Sequence, residues 1–293
     1  MTVPPTPVVL DTDLGSDVDD AQALLQVLAS PELELVGVTA SYGDTMLRAH
    51  LARQLLDWCG ADDVPVGAGP NATRSGREVW YAGHEAGQLR PGPAAAFAPE
   101  DATALLSRLA AAHRGRLVVL GIAPLNTLAT ALVADPTLSG QLAALHLMGG
   151  RFGDGPRPEH NIVCDVDAAE VVFGAEVPTT VIGVETTTRV RIPEDRFDEL
   201  TVAGDPAARW LAEVLAEWTD FTGEPWSIPH DPLAVATLTH PELFTTVEGA
   251  VTVTPDGRTV HAAGAGVHRV TDLDVDALTE LVITRIASRR GRP

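Results

Sequence analysis

A dense run of acidic residues lies near the start of the chain, in the segment Asp11-Thr12-Asp13-Leu14-Gly15-Ser16-Asp17-Val18-Asp19-Asp20. Five of these ten residues are aspartates, and the segment directly follows an apolar run. So many like charges repel one another unless a cation neutralises them. Ligands that are all oxygen suit a hard ion such as Ca²⁺ or Mg²⁺. The segment therefore predicts a divalent-metal site; the alternative is a solvated acidic turn in which Asp19 caps a helix.

Two other kinds of acidic motif fit this segment poorly. An EF-hand counted from Asp11 needs a ligand at its fifth position and a glutamate at its twelfth, where this chain has Gly15 and Gln22. A haloacid-dehalogenase-type phosphatase also begins with Asp-x-Asp after a strand, but it needs a later lysine to hold the phosphoryl group. The chain contains no lysine, so a phosphatase is a distant alternative.

The segments around the acidic run alternate between strand and helix patterns. Val8–Leu10 and Leu35–Ala40 are apolar runs typical of buried strands. Helical spacing of apolar residues marks Asp19–Ala29 and Thr45–Trp58. This order predicts a right-handed βαβ start to a parallel sheet, in which ligands bind at the carboxyl ends of the strands. We predict an α/β fold: a single domain over residues 1–293, with a mostly parallel central sheet flanked by helices.

The composition of the chain argues against nucleic-acid and membrane partners. The formal net charge is −20 over 293 residues, so no basic field exists to displace counterions from nucleic acid or to bind an anionic membrane. The longest apolar stretches are too short to span a bilayer. Met1–Pro7 lacks the basic and apolar regions of a secretion signal. The two cysteines, Cys59 and Cys164, are far apart in sequence, which favours a reducing cytoplasm over a disulfide framework.

The acidic run resembles the signature Asp-Thr-Asp-Pro-Gly-x-Asp-Asp-Ala of the inosine-uridine-preferring nucleoside hydrolase family. Here Asp11–Gly15 is followed by Asp19-Asp20-Ala21, with two more residues between the halves than the family has. Further matches follow in the family's order, and several ordered motifs are more specific than one. They are Thr39–Asp44, Gly121–Ala129, Met148-Gly149-Gly150, Glu159-His160-Asn161 and His230-Asp231-Pro232.

This resemblance implies a metal site and a sugar site. It implies that Ca²⁺ is held by the side chains of Asp13, Asp20 and Asp231 and by the carbonyl of Asn126. It also implies that ribose hydroxyls are held by Asp19, Glu159 and Asn161. Family members commonly form homodimers or homotetramers, so we expect one of these states.

Two departures from the family motifs concern the sugar site. Asp44 stands where the family has an asparagine, which makes it a candidate for substrate contact with altered chemistry. The family's further asparagine before Glu159 has no clear counterpart in Arg151–Pro158. Sugar affinity or sugar preference is therefore expected to differ from that of other members.

The implied reaction breaks an N-glycosidic bond while positive charge develops on the ribose. Asp13 is the candidate general base for water, and His230 is the candidate donor of a proton to the departing base. Trp226 is a candidate for stacking on the nucleobase, and His84 is a second candidate for substrate contact; for both, ordinary packing is the alternative. We predict calcium-dependent hydrolysis of ribonucleosides. The alternatives are a modified nucleoside or other ribosyl compound as substrate, or a non-catalytic nucleoside-binding protein.

Overall fold

A nine-stranded sheet runs through the centre of the computed structural model, which describes residues 4–89, 97–201 and 206–289. Its strands, in chain order, are β1 (Thr6–Thr12), β2 (Leu33–Ala40), β3 (Val66–Ala68), β4 (Glu100–Asp101), β5 (Leu117–Gly121), β6 (Leu142–Met148), β7 (Thr179–Ile182), β10 (Phe244–Val253) and β11 (Thr259–Leu273). Two short strands, β8 (Ile192–Pro193) and β9 (Trp226–Ser227), form a separate antiparallel pair.

Helices cover both faces of this sheet. They are α1 (Asp19–Leu28), α2 (Thr45–Trp58), α3 (Ala102–Ala112), α4 (Asn126–Ala134), α5 (His160–Cys164), α6 (Val166–Phe173), α7 (Val184–Thr187), α8 (Pro206–Thr222), α9 (His230–Thr239) and α10 (Val275–Ala287). Several begin at an acidic residue whose carboxylate accepts main-chain N–H groups of the first turn. Such caps satisfy donors that the helix itself leaves unpaired.

The strand order is β10-β11-β7-β6-β5-β1-β2-β3-β4, and every neighbouring pair is parallel except the hairpin of β10 and β11. Strand β1 pairs with β2 on one side and with β5 on the other. The chain therefore builds outward from β1 in one direction and later from β5 in the other. Ligands bind at such a switch point, in the crevice beyond the carboxyl ends of the strands. The predicted α/β fold with a mostly parallel sheet is confirmed.

The core divides into two apolar layers, one on each face of the sheet. Within β1, Val8 and Leu10 pack in one layer while Val9 packs in the other, and all three side chains are fully buried. Successive side chains of a strand point to opposite faces, so a strand buried on both faces must be apolar at every position. That requirement explains the continuous apolar run that precedes the acidic segment.

The last hairpin is larger than the sequence pattern suggests. Strand β11 extends from Thr259 to Leu273. Its first half contains the small residues Ala262–Gly266, which have low strand propensity. Pairing with β10 overrides that preference, with a break in register where Gly249 pairs with Val267 and Ala250 with Ala262. The extra residues loop out of the ladder at this break.

No helix in the described parts of the chain is long and apolar enough to cross a membrane. This finding agrees with the short apolar stretches of the sequence.

Candidate active site

A cavity of about 320 Å³ opens at the switch point, beyond the carboxyl ends of the parallel strands. It collects side chains from both halves of the sequence. Seven of the residues selected from the sequence line it: Asp13, Asp19, Asp20, Glu159, Asn161, His230 and Asp231. They follow β1, β6 and β9 in the chain, so the fold brings together segments that are more than 200 residues apart.

Three carboxylates in this cavity form a compact group. Asp19, Asp20 and Asp231 each offer an oxygen within 4.8 Å of the others, and all three residues are buried. Burial raises the pKa of each carboxyl well above its usual value, and the neighbouring aspartates raise it further. A divalent cation would relieve both costs, and three carboxylates suit a hard ion such as Ca²⁺ or Mg²⁺. The residues present therefore fit a metal of this kind.

Asp13 lies beside this group but is not a member of it in the described structure. Its main-chain N–H donates to the Asp20 carboxylate at 3.2 Å, so the two residues are adjacent. The Asp20 carboxylate also accepts a short hydrogen bond from the Thr12 hydroxyl. The resemblance had assigned Asp13 to the metal and Asp19 to the sugar, whereas the structure groups Asp19 with Asp20 and Asp231.

The first aspartate of the run has a different place. Asp11 is almost fully buried within β1, and its carboxylate accepts hydrogen bonds from Thr39 Oγ1 at 2.6 Å and Ser41 Oγ at 2.8 Å. Burial raises the pKa of Asp11 to about 7. These bonds hold the ends of β1 and β2 together. Asp11 therefore stabilises the strands next to the cavity and does not line the cavity itself.

Glu159 and Asn161 lie across the cavity, at the start of α5. The Glu159 carboxylate accepts main-chain hydrogen bonds from Gly150 at 2.8 Å, Asn161 at 2.8 Å and Ile162 at 3.2 Å. The Asn161 amide donates to the carbonyls of Ile122 and Met148, both at 3.1 Å. Both side chains are thus held in fixed orientations by the backbone. Burial raises the pKa of Glu159 even though these bonds lower it in part.

His230 and Asp231 form the first turn of α9. The Nδ1 atom of His230 lies 2.5 Å from the hydroxyl oxygen of Thr187, so one ring nitrogen is engaged and the ring orientation is set. Burial lowers the pKa of His230 to about 4. Pro232 occupies the third position of the helix, where its missing N–H is not needed. The His-Asp-Pro order thus starts the helix and directs two functional side chains into the cavity.

Two residues selected for substrate contact lie elsewhere. Asp44 is exposed and caps α2, where its carboxylate accepts from the Leu47 N–H at 3.0 Å. A residue in this capping position directs its oxygen back over the first turn, and Asp44 lines a separate hollow beside Tyr81. Trp226 lies in β9 with the Arg191 guanidinium 4.4 Å from its ring centre. It does not line the cavity, so packing against a cation has taken the place of base stacking.

Two further selected residues also lie outside the cavity lining. A ring nitrogen of His84 lies 2.8 Å from the carbonyl oxygen of Ser16. The side chain lines a separate, adjoining pocket of about 170 Å³. Asn126 begins α4, where its amide donates to the Pro70 carbonyl at 2.9 Å and its own carbonyl accepts from Thr130 Oγ1 at 2.7 Å. The Asn126 carbonyl therefore accepts a hydrogen bond within its own helix.

Several residues of the cavity were not predicted from the sequence as site residues. Asp17 comes from the two-residue extension of the acidic run, Trp218 from α8, and Arg151 from the loop after β6. Trp80, from the segment between β3 and β4, also lines the cavity. The extension itself marked Asp17, while Trp218 was hidden in an amphipathic helix that is equally well explained by packing. The position of Trp80 depends on long-range contacts, because its ring lies 5.3 Å from that of His160.

A parallel sheet whose carboxyl edge opens into a cavity lined by buried carboxylates is typical of enzymes that bind small ligands at that edge. The chain belongs to the family described as inosine-uridine preferring nucleoside hydrolase, whose model matches residues 8–280. It is therefore an N-glycosyl hydrolase of the nucleoside hydrolase type.

Similar curated proteins carry one substrate class in their names. The pyrimidine-specific ribonucleoside hydrolase RihA of Escherichia coli O9:H4 is 33% identical over 268 residues, which covers 86% of this chain and 85% of that protein. The protein of the same name from Klebsiella pneumoniae is 32% identical over 308 residues, covering 96% and 98%.

Solved structures share the fold over almost the full length. A plant nucleoside hydrolase, PpNRh1, superposes with a TM-score of 0.87 at 25% identity and covers 97% of this chain and 99% of its own. A purine-preferring ribonucleoside hydrolase from Gardnerella vaginalis gives a TM-score of 0.86 at 24% identity, covering 96% and 98%. The name of the Gardnerella protein specifies purines and the name RihA specifies pyrimidines, so the fold does not fix the base.

Proposed function

We propose that this enzyme hydrolyses the N-glycosidic bond of ribonucleosides and releases ribose and the free base, with Ca²⁺ held by the acidic group of the cavity. The observation that carries this proposal is the convergence in one cavity of three kinds of group. Asp19, Asp20 and Asp231 supply metal ligands, Glu159 and Asn161 supply fixed polar groups, and His230 supplies a buried ring nitrogen.

The residues that would hold Ca²⁺ are Asp20 and Asp231, with either Asp19 or Asp13 completing the carboxylate set. When bound, the ion would orient a water molecule and grip vicinal hydroxyls, acting as a template and a modest Lewis acid. The buried carboxylates repel one another when no cation is bound. Binding of Ca²⁺ would remove that repulsion, which favours binding.

Asp13 is our candidate for the general base. It lines the cavity next to Asp20 but stands outside the compact carboxylate group, and its carboxylate lies 4.0 Å from Arg48 Nη2. A carboxylate in this place takes the proton as water attacks the anomeric carbon. General base catalysis of this kind contributes roughly 10²–10⁴-fold to the rate.

The sugar carries positive charge as the bond to the base breaks. The acidic lining of the cavity stabilises that charge without any movement, which is the main benefit of a preorganised site. Glu159 and Asn161 are held by main-chain hydrogen bonds and are our candidates for ribose hydroxyl contacts. Asp19 joins them if Asp13 rather than Asp19 completes the metal site.

His230 is our candidate for the proton donor to the leaving base. Its Nδ1 atom is engaged by Thr187, which leaves Nε2 as the nitrogen available to the substrate. To act as the acid, the ring must carry a proton on each nitrogen: the Nε2 proton passes to the base as the glycosidic bond breaks, and the ring is left neutral with its Nδ1 hydrogen directed at Thr187.

Pyrimidine ribonucleosides are the substrates we propose first, because the similar curated proteins are named for them. The test is incubation of purified protein with Ca²⁺ and uridine, cytidine, inosine or adenosine, with ribose and free base measured by chromatography. Uridine and cytidine are expected to be cleaved fastest, and 2′-deoxyuridine poorly, because the metal grips vicinal hydroxyls. Absence of ribose release from all four ribonucleosides would reject the proposed activity.

A second candidate substrate is a ribosyl compound with an anionic substituent, and one residue favours it. Arg151 lines a cavity that is otherwise acidic, with its Nε donating to the Arg157 carbonyl at 2.8 Å. A guanidinium in this place suits a phosphate. The test is to measure kcat/KM for uridine and for uridine 5′-monophosphate. This second proposal requires a higher kcat/KM for the phosphorylated compound.

We further propose a homodimer or homotetramer in the cytoplasm, without nucleic-acid or membrane partners. Support for the cytoplasm comes from Cys59 and Cys164, which are buried free thiols. The oligomeric state is measured by size-exclusion chromatography with light scattering, and a monomer at micromolar concentration would contradict this part of the proposal.

A further inference from the structure

A buried arginine outside the cavity lining holds the turn that carries Asp13. Arg48 in α2 is 1% exposed, and its guanidinium contacts four main-chain or hydroxyl oxygens. Its Nη1 donates to the carbonyls of Asp13, by a short hydrogen bond, and of Leu14 at 3.1 Å; its Nη2 donates to Ser16 Oγ at 3.0 Å. A guanidinium offers five donors in a rigid plane, so these contacts fix the shape of the turn.

The turn that Arg48 holds lies close to α2 at Gly15. Gly15 has a φ of +115°, and a Cβ there would lie 2.8 Å from Leu51 Cδ1 of α2. The chain therefore crosses the helix at a distance that only glycine allows. Because the turn leads, through Asp17 and Val18, into Asp19 and Asp20 at the start of α1, a small shift of its backbone would move the carboxylates of the cavity.

A third nitrogen of the same guanidinium, Nε, binds a residue that supports a different side of the cavity. Arg48 Nε donates to the Tyr42 carbonyl at 2.7 Å. Tyr42 has a φ of 63°, a conformation that is costly for a side chain of this size. Its phenol oxygen accepts the main-chain N–H of Trp80 at 2.8 Å. Arg48 therefore connects the acidic turn, through Tyr42, to the loop that places Trp80 in the cavity lining.

The charge of Arg48 also acts on the cavity. Its Nη2 atom lies 4.0 Å from the Asp13 carboxylate, and both side chains are buried. The guanidinium stays in place whether or not a metal ion is bound, so it offsets part of the repulsion in the metal-free protein. At the same time, a fixed positive charge opposes the binding of a cation. A role in geometry and a role in charge therefore predict different effects on metal affinity.

We propose that Arg48 is a positioning residue of this enzyme: its planar guanidinium holds the Asp13–Ser16 turn in the geometry that metal binding and water activation require and, through Tyr42, supports the loop that places Trp80 in the cavity lining. This inference rests on the proposed function for its Ca²⁺ and kinetic parts, whereas the hydrogen-exchange part is independent of it. The geometry predicts that the shape of the guanidinium matters more than its charge, because the contacts are mainly with neutral carbonyl and hydroxyl oxygens.

The test compares Arg48→Lys, which keeps the charge, with Arg48→Gln, which removes it. Calorimetric titration of each metal-free protein with Ca²⁺ gives the metal Kd, and hydrogen exchange reports the mobility of residues 11–20 and 79–84. Both variants are expected to bind Ca²⁺ roughly 10-fold more weakly and to exchange faster in both segments, since small misplacements near a reacting centre cost up to about 10²-fold. On the preferred nucleoside, kcat falls at least about 10-fold, while KM rises by no more than a few-fold, as expected if the Trp80 loop is loosened.

Arg53 supplies a matched control in the same helix. It is also buried, at 7% exposed, and its guanidinium donates to the carbonyls of Val64 at 2.9 Å and Ala61 at 3.0 Å. These contacts lie away from the cavity. Arg53→Lys is therefore expected to lower the Tm while leaving the Ca²⁺ Kd, the exchange of residues 79–84 and kcat at wild-type values.

Three outcomes would overturn the proposal. Arg48→Lys with wild-type Kd and exchange would assign the residue a charge role, as would tighter Ca²⁺ binding in Arg48→Gln. Equal losses in Arg53→Lys would assign it only to helix stability. If the Arg48 variants do not fold, Ser16→Ala removes one contact and must weaken Ca²⁺ binding and speed exchange of residues 11–20. A wild-type protein that binds Ca²⁺ but cleaves no nucleoside would reject the proposed function, and the Kd and exchange data would still decide the role of Arg48.

Discussion

The main-chain N–H of Asp231 donates a hydrogen bond to the carboxylate of Asp19 at 3.2 Å, across 212 positions of sequence. This contact joins the start of α9 to the start of α1, two helices that pack on the same face of the sheet. The N-terminal ends of both helices therefore face the cavity, where their partial positive charge favours carboxylates. The acidic group is thus assembled by helix packing rather than by one contiguous loop.

Asp231→Asn is expected to change metal affinity and metal-free stability in opposite directions. Removing one buried carboxylate weakens Ca²⁺ binding, by about 100-fold or more, and lowers kcat in parallel. In chelator, the same change relieves repulsion and raises the free energy of unfolding, on the order of 1 kcal/mol. Calorimetry and thermal melts with Ca²⁺ or EDTA measure both effects. Asp63→Asn, at an exposed acid, serves as the control, and equal Tm shifts in both variants would contradict the acidic-group interpretation.

Removal of metal from the wild-type protein is expected to lower its Tm and stop hydrolysis. Binding to the folded state alone stabilises it by about 2.7 kcal/mol when the free ion is at 100 times its Kd. EDTA followed by return of Ca²⁺, Mg²⁺ or Zn²⁺ identifies the ion that restores activity. Full turnover in EDTA, with no metal found by elemental analysis, would exclude the proposed cofactor.

His230→Gln is expected to lower kcat for natural nucleosides by roughly 10²–10⁴-fold, because the leaving base loses its proton donor. A riboside whose leaving group needs no protonation, such as p-nitrophenyl riboside, is expected to be cleaved at a rate close to that of the wild type. The ratio of the two kcat values is the measurement. His268→Gln, at an exposed position in β11, is the control. Equal losses on both substrates would remove His230 from the donor role.

Tyr42→Phe is expected to loosen the Trp80 loop without disturbing the metal site. The variant removes the phenol oxygen that accepts the Trp80 N–H, at a cost of about 0.5–1.5 kcal/mol. Because Trp80 lines the cavity, KM for the nucleoside is expected to rise a few-fold, while the Ca²⁺ Kd stays constant. Steady-state kinetics and calorimetry test this separation. A parallel loss of Ca²⁺ affinity would show that the two walls of the cavity are not independent.

The stability of the protein is expected to fall as the pH is lowered from about 6.5 toward 4, and His146 contributes to this fall. Burial lowers the pKa of His146 to about 4, whereas an unfolded histidine titrates near 6.5. The unfolded state therefore binds more protons in this window, so the contribution is complete above pH 6.5 and is lost on acidification. Its size is at most about 3 kcal/mol. Denaturant melts at pH 7.5 and 5.5 must show a smaller loss for His146→Gln than for wild type.

Much of the fold could be predicted from the sequence. The buried strands are continuous apolar runs, and the long helix α2 has the bounds that its apolar spacing predicts. The acidic run after β1 marked the functional edge of the sheet, since parallel strands end there. These features depend on local periodicity and on the general rules of βαβ topology, which act without knowledge of distant contacts.

What the sequence determined, then, is a parallel α/β frame and the set of carboxylates available to a cation. Only the tertiary structure decided which of them meet: Asp19, Asp20 and Asp231 come within reach of one another with Asp13 beside them, while Asp44, His84, Trp226 and Asn126 are not among the residues that line the cavity. The reason is that side-chain direction depends on helix caps and on packing between segments far apart in the chain. Arg48 illustrates this dependence, because nothing in its local sequence distinguishes it from Arg53, five residues later in the same helix.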